Sequence, residues 1–262
     1  MMRLAFAGDR RSAVECLAVL LDAGVQPQAL MVSAPELATH DDVLREMSGL
    51  DSDRVLVGRQ FREPTSIELL RSLDLDYILG VHFPYIVPGA VLEIPRIGVL
   101  NLHPALLPYN RGWHTPNWAI LDEAPIGATL HFMDSGLDTG DIVAQAGLEI
   151  RPEDTAHTLY GRLLDLEVEL FKAAWPLLAS GSPPRRTQSP DEGSNHNRAD
   201  LASDSIRRLD LEEAAPMKDV LRKLRALTTN DVEEAAYFEQ DGRRYRVQIT
   251  ITPEDGPVDG EA

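Results

Sequence analysis

Asn101 and His103 stand two residues apart at the end of an apolar run, Ile97-Gly98-Val99-Leu100. On a strand, residues two apart point to the same side. An amide donor and an imidazole therefore project together from one strand end. Asp138 follows in the glycine-flanked segment Gly136-Leu137-Asp138-Thr139-Gly140, a loop able to bring a carboxylate onto them. The three make a proton-handling trio beside a neutral hydrogen-bond donor. That set is suited to acyl transfer through a tetrahedral oxyanion, where one well-placed donor lowers the barrier by ~3–4 kcal/mol.

The elements that must position this trio alternate. Arg3–Ala7, Ala29–Val32, Arg54–Val57 and Tyr77–Val81 read as short apolar strands. Between them, Ser12–Leu21 carries apolar residues at helical spacing and closes at Gly24, a polar stretch from Ala34 to Gly49 reads as partly helical, and Pro64–Leu73 reads as a helix. Strands alternating with helices imply an α/β fold, a Rossmann-like and mostly parallel sheet with helices on both faces. Ligands in such sheets sit outside the carboxyl ends of the strands. His82-Phe83-Pro84-Tyr85 and Asn101–His103 both lie at such ends. Ala128–Phe132 and Ile142–Ile150 are further extended runs, and Ala156–Leu178 is a long helix that Pro176 is expected to end or kink.

This assigns residues 1–180 to one main domain. The Ser-, Pro- and Gly-rich stretch 181–204 reads as an exposed connector. Residues 205–252 read as a small α+β appendage: a helix near Val220–Ala226, then two β-prone runs flanking the hairpin signal Asp241-Gly242. Residues 253–262 read as a flexible acidic tail.

The chain has 262 residues, 44% of them hydrophobic, enough for a core. No apolar run approaches the ~18–20 residues of a membrane helix, so no membrane partner is expected. The lone Cys16 rules out an internal disulfide and fits a reducing, cytoplasmic setting. A net charge of −17 argues against nucleic acid as a partner, while leaving room for a phosphorylated small ligand met by a few arginines. Seven histidines show neither His-Glu-x-x-His nor paired-Cys spacing, so no metal is expected. His131, between Leu130 and Phe132, reads as a satisfied strand histidine, and Trp118 as core.

The stretch Gly98–Gln145 resembles the folate-dependent formyltransferases, through Asn101-Leu102-His103-Pro104-Ala105-Leu106-Leu107-Pro108 and then Asp138-Thr139-Gly140-Asp141. Phe83-Pro84-Tyr85-Ile86-Val87-Pro88 looks like the loop on which that family seats the folate ring. Tyr109-Asn110-Arg111-Gly112-Trp113-His114 is similar to the sugar N-formyltransferases, which act on nucleotide-linked amino sugars. Residues 218–252 look like the small C-terminal piece of some of these.

The resemblance implies the formyltransferase fold over residues 1–180. It implies 10-formyltetrahydrofolate as formyl donor, with no metal, and a nucleotide-linked, dTDP-type amino-deoxysugar as acceptor. It implies Asn101, His103 and Asp138 as catalytic residues. Contacts to folate fall to His82, Phe83, Tyr85, Ile86, Val87, Ser135 and Leu137. Contacts to the sugar nucleotide fall to Arg10, Tyr109, Arg111, Trp113 and His114. A homodimer is expected from the apolar hairpin residues Tyr237, Phe238, Val247, Ile249 and Ile251. Three alternatives stay open: a 10-formyltetrahydrofolate hydrolase with water as acceptor, a transferase for another amine such as glycinamide ribonucleotide or an aminoacyl-tRNA, and a binding protein without catalysis.

Overall fold

The computed structural model describes residues 2–189 and 191–254. Its strands are β1 (Leu4–Gly8), β2 (Ala29–Val32), β3 (Val55–Val57), β4 (Tyr77–Val81), β5 (Gly98–His103), β6 (Arg111–Gly112), β7 (Ile126–Phe132), β8 (Ile142–Leu148), β9 (Asn195–His196), β10 (Ala236–Gln240) and β11 (Arg243–Val247). Its helices are α1 (Arg10–Asp22), α2 (Asp41–Ser48), α3 (Pro64–Ser72), α4 (Gly89–Leu92), α5 (Thr115–Leu121), α6 (Ala156–Ala179), α7 (Asp204–Arg207) and α8 (Met217–Ala226).

Seven strands form one sheet in the order β3-β2-β1-β4-β5-β7-β8. The first five are parallel, and β7 and β8 are antiparallel. Strand alternation sorts the core into two layers. Leu4, Phe6, Leu30, Tyr77 and Leu79 face α1 and α6, meeting Leu17, Leu20, Val168 and Phe171. Ala5, Ala7, Met31, Ile78 and Val99 face the other way, against Phe61, Leu70 and Val91. This is the α/β sandwich expected from the alternation of strands and helices.

Two details depart from the sequence reading. Pro176 does not end α6, which continues to Ala179 after a start fixed by the Thr155–Thr158 capping box. The stretch 181–204 is not a plain exposed connector. It crosses the carboxyl side of the sheet as a strap: Arg186 bridges Ile142 of β8, and Asn195-His196 forms β9 on Arg111-Gly112 of β6. Gly112 has φ +95°, and a Cβ there would stand 2.3 Å from the His196 carbonyl oxygen, so only glycine lets the two backbones meet.

Residues 205–252 pack on α5. Trp118 joins Leu201, Leu227 and Ala236 in one cluster, and Asn117 Nδ2 donates to the Ala226 carbonyl at 2.7 Å. The β10–β11 hairpin turns at Asp241-Gly242. Tyr237, expected to be free for a partner, is 2% exposed and buried in its own chain, where its hydroxyl donates to Asp204. Of the tail assigned to 253–262, residues 255–262 lie outside the described residues.

Candidate active site

β5 delivers Asn101 and His103 to one side, and antiparallel pairing sets His131 of β7 directly opposite Asn101. A bulge in the β7–β8 pairing falls at Leu130/His131, and bulges commonly re-aim side chains beside active sites. The His131 ring sits 6.2 Å from the His103 ring, edge on. The loop after β7 then folds back over both. It is held by Asp134, whose Oδ1 accepts from Gly136 N and Thr139 Oγ1. Asp138 enters on a left-handed backbone, φ +53°.

Its carboxylate meets both rings. Oδ2 lies 3.6 Å from His103 Nε2 and accepts the Gly112 N–H at 2.9 Å, and Oδ1 lies 3.6 Å from His131 Nε2. The structure thus brings Asn101, His103 and Asp138 to one place and adds His131 between Asn101 and Asp138. The strand reading of His131 holds for one ring nitrogen only. Nδ1 is 2.7 Å from the Phe132 carbonyl, an acceptor, so Nδ1 carries the hydrogen and Nε2 the lone pair. That lone pair accepts from Asn101 Nδ2 at 3.4 Å. What the sequence could not show is the register that pairs Asn101 with His131.

The electrostatics follow from burial. Desolvation holds the His131 imidazole neutral, its pKa down at about 4. Desolvation alone would raise Asp138, but the nearby His103 ring, the Gly112 N–H and the Arg111 guanidinium outweigh it and hold the carboxyl below its usual range. Asn101 supplies the donor for the His131 Nε2 lone pair. Asp138 Oδ1, 3.6 Å from that nitrogen, is the acceptor that meets no hydrogen-bond donor among the described residues.

Beside Asn101 lies an apolar cavity at the carboxyl ends of β1, β4 and β5. Its walls include Ala7, Ile78, Phe83, Tyr85 and Val87, with Asn101 as a polar edge. Phe83 packs edge-on and Tyr85 tilted against Phe61, and the Tyr85 hydroxyl accepts from Ala34 N. The space these walls enclose is about 20 Å³, room for one water molecule. Ile86, in the same loop, is 77% exposed. Ser135 and Leu137 lie exposed on the Asp138 loop.

His82 is directed elsewhere. Its Nε2 lies 2.6 Å from Glu167 Oε2 on α6, and Glu167 is fully buried. Burial and that carboxylate push the neighbouring Tyr160 up to about 12.

The residues expected to meet the sugar nucleotide divide. Arg10 is exposed at the start of α1, beyond the carboxyl end of β1. Tyr109 and Trp113 are exposed, with the Arg198 guanidinium 5.3 Å from the Trp113 ring. His114 is half-buried at the mouth of α5, and burial lowers its pKa. Arg111 does not reach outward: it is 4% exposed, and its guanidinium donates to Gln188 Oε1 and to the Glu192 carbonyl.

A Formyl transferase family model matches residues 34–175, the segment that contains the whole Asn101–His103–Asp138 cluster. The chain belongs to the formyl transferase family. A second model, the N-formyltransferase dimerization C-terminal domain, matches residues 203–253. The chain is 34% identical over 179 residues to dTDP-4-amino-4,6-dideoxyglucose formyltransferase of Mycobacterium tuberculosis, covering 68% of this chain and 74% of that one. Its fold is that of a sugar N-formyltransferase from a Shewanella species, with TM-score 0.80 over 97% of this chain and 100% of that one at 22% identity. It also matches an N-formyltransferase from Helicobacter canadensis in complex with folinic acid and dTDP-3-aminofucose. There the TM-score is 0.67 over 92% of this chain and 85% of that one, at 23% identity.

Among the described residues no group of three or more His, Cys, Asp or Glu side chains could hold a metal ion. No helix among them is long and apolar enough to cross a membrane.

Proposed function

We propose that the chain moves a formyl group from 10-formyltetrahydrofolate to the amine of a nucleotide-linked amino-deoxysugar. The observation that carries this is a carboxylate oxygen, Asp138 Oδ1, that meets no hydrogen-bond donor among the described residues and lies 3.6 Å from His131 Nε2, itself bonded to the Asn101 amide. An amine attacking a formyl carbon becomes cationic and supplies the missing donor. The folate ring is assigned to the loop of Phe83, Tyr85 and Val87, whose side chains line an apolar wall beside Asn101. The relative named for a dTDP-4-amino sugar and the structural neighbour holding dTDP-3-aminofucose support a dTDP-linked acceptor.

The chemistry then balances with this chain's own groups. The amine nitrogen bonds to the formyl carbon, and negative charge collects on the formyl oxygen. The second Asn101 amide hydrogen stabilises that oxygen. His103 Nε2 lies 3.4 Å from the Asn110 carbonyl and 3.6 Å from Asp138, so its N–H holds the carboxylate in place for the proton transfer. Asp138 takes the ammonium proton. The bond from the formyl carbon to the folate nitrogen breaks, that nitrogen takes the proton back from Asp138, and a formamide and tetrahydrofolate leave.

The appendage is assigned to self-association. Phe238 and Tyr245 stack on the hairpin with Tyr245 42% exposed, and the dimerization-domain match covers both.

The test is tetrahydrofolate release from 10-formyltetrahydrofolate, alone and with dTDP-linked 3-amino and 4-amino sugars. Release that requires one of the sugars supports the transferase and names its acceptor. Equal release without any sugar makes the chain a hydrolase and overturns the proposal.

A further inference from the structure

Gln188 lies in the strap, 50 residues beyond Asp138 in sequence, and is 8% exposed. Its amide nitrogen donates to two carbonyls, those of Asp138 and Gly140, at 2.8 Å each. Its amide oxygen accepts from Arg111 Nη2 at 2.9 Å and Nε at 3.2 Å. One side chain thus satisfies both halves of its hydrogen-bonding capacity on the backbone around the acid and on the arginine next to Gly112. Gly112 in turn donates its N–H to the Asp138 carboxylate.

The strap is pinned on both sides of Gln188. On one side Arg186 exchanges two backbone hydrogen bonds with Ile142, at 2.8 and 2.9 Å. On the other, Ser194 accepts from Arg111 N and its Oγ accepts from Asn110 N. Gln188 is held in place independently of the turn it grips. Asp138 needs such a grip. A left-handed aspartate persists only where its surroundings fix it, and Asp134 grips the turn from one end only.

We infer that Gln188 is a positioning residue for the formyl-transfer reaction, clamping the Asp138 turn to Arg111 and so setting the carboxylate against the amine. The inference rests on the transferase reading of the site. Positioning errors of about 1 Å cost about 100-fold in rate, and that sets the size of the expected effect.

Gln188→Glu separates the clamp from a merely structural role. It keeps an acceptor for Arg111 but turns an oxygen toward the two carbonyls, so it breaks the grip on the turn alone. The expected result is a kcat lower by about 100-fold with both KM values within threefold. The acid limb of kcat is expected to move to higher pH as the carboxylate loses the Gly112 N–H. Hydrogen exchange without substrate gives a second readout: the Gly112 amide, which donates to Asp138, exchanges faster in Gln188→Glu, while Arg244→Ala, which loses only contacts on the hairpin, leaves it protected. Wild-type kcat and unchanged exchange in Gln188→Glu would overturn the inference. So would a loss of kcat matched by the loss of folded protein with an unmoved pH profile. If the wild-type chain turns over no amine but Gln188→Glu still frees the turn, the clamp stands and the transferase reading falls.

Discussion

Asp138→Asn is the substitution for which the structure fixes both what is lost and what is kept. The side-chain shape is unchanged. Oδ1 of an asparagine can accept the Gly112 N–H that Asp138 Oδ2 accepts at 2.9 Å. Its amide nitrogen then faces His131 Nε2, 3.6 Å away in the wild type, whose lone pair already accepts from Asn101. The new donor is left without a protein acceptor, and the expected cost in folding stability is about 1–3 kcal/mol. The rate falls further. The variant cannot take the ammonium proton, and it turns a donor to the place where the cationic amine needs an acceptor. Loss of a positioned base costs about 10²–10⁴-fold, or about 3–5 kcal/mol of barrier. The assay is tetrahydrofolate release at saturating sugar nucleotide, beside a urea unfolding curve and a folate-binding titration. The expected variant folds, binds folate and turns over at least 100-fold more slowly. Turnover within threefold of wild type, in the folded variant, would refute Asp138 as the base.

Four further outcomes follow from the same geometry. His131 is neutral when folded, with a pKa near 4 against 6.5 in the unfolded chain, so the unfolded state binds the extra proton between those values. Stability is full above pH 6.5 and falls as pH drops toward 4, by about 3 kcal/mol from this group. His114 and His196, both lowered mainly by burial, act with the same sign, so the measurement is the difference in urea midpoints between wild type and His131→Gln across that window. Gly112→Ala pushes a Cβ against the His196 carbonyl in a backbone that favours glycine. It is expected to lower both the melting temperature and kcat, read in parallel. Glu167→Leu removes the buried hydrogen-bond partner of His82 and is expected to cost about 1–3 kcal/mol in a denaturant titration, whereas Glu167→Gln keeps a hydrogen-bond acceptor and loses less. Tyr245→Glu places a charge on the exposed face of the hairpin stack and is expected to shift a dimer toward monomer in analytical ultracentrifugation.

The sheet was legible because its signals are local. Short, wholly apolar runs such as Leu4–Ala7 and Tyr77–Val81, with an apolar helix stripe between them, mark strands covered on both faces, and their side chains sort into two layers. The Asp241-Gly242 turn and the Trp118 core position follow from equally short-range chemistry. Asn101 and His103 could be placed together for the same reason, since strand geometry alone puts residues two apart on one side. Long-range partnerships were not legible. Arg111 looked like an arm for substrate because an arginine in a polar loop gives no sign of the glutamine 77 residues away that takes up its guanidinium. His131 looked ordinary because antiparallel register is not written in either strand by itself. The strap misled through its composition: Ser, Pro and Gly mark a segment without its own hydrophobic period, and this one is held by backbone and amide hydrogen bonds to other elements. Tyr237 misled similarly, its aromatic bulk being consumed by the cluster on α5.

The strap also orders events in time. A ribosome completes every strand of the sheet by Leu148, with Asp138 and Arg111 already in place along the chain. Gln188 arrives 40 residues later. Until then the turn holding the acid has nothing to grip it, and the guanidinium of Arg111 stands in water. A nascent chain therefore owns the whole sheet well before it owns a finished active site, and the last piece to be translated into that site is the segment that looks least like part of an enzyme.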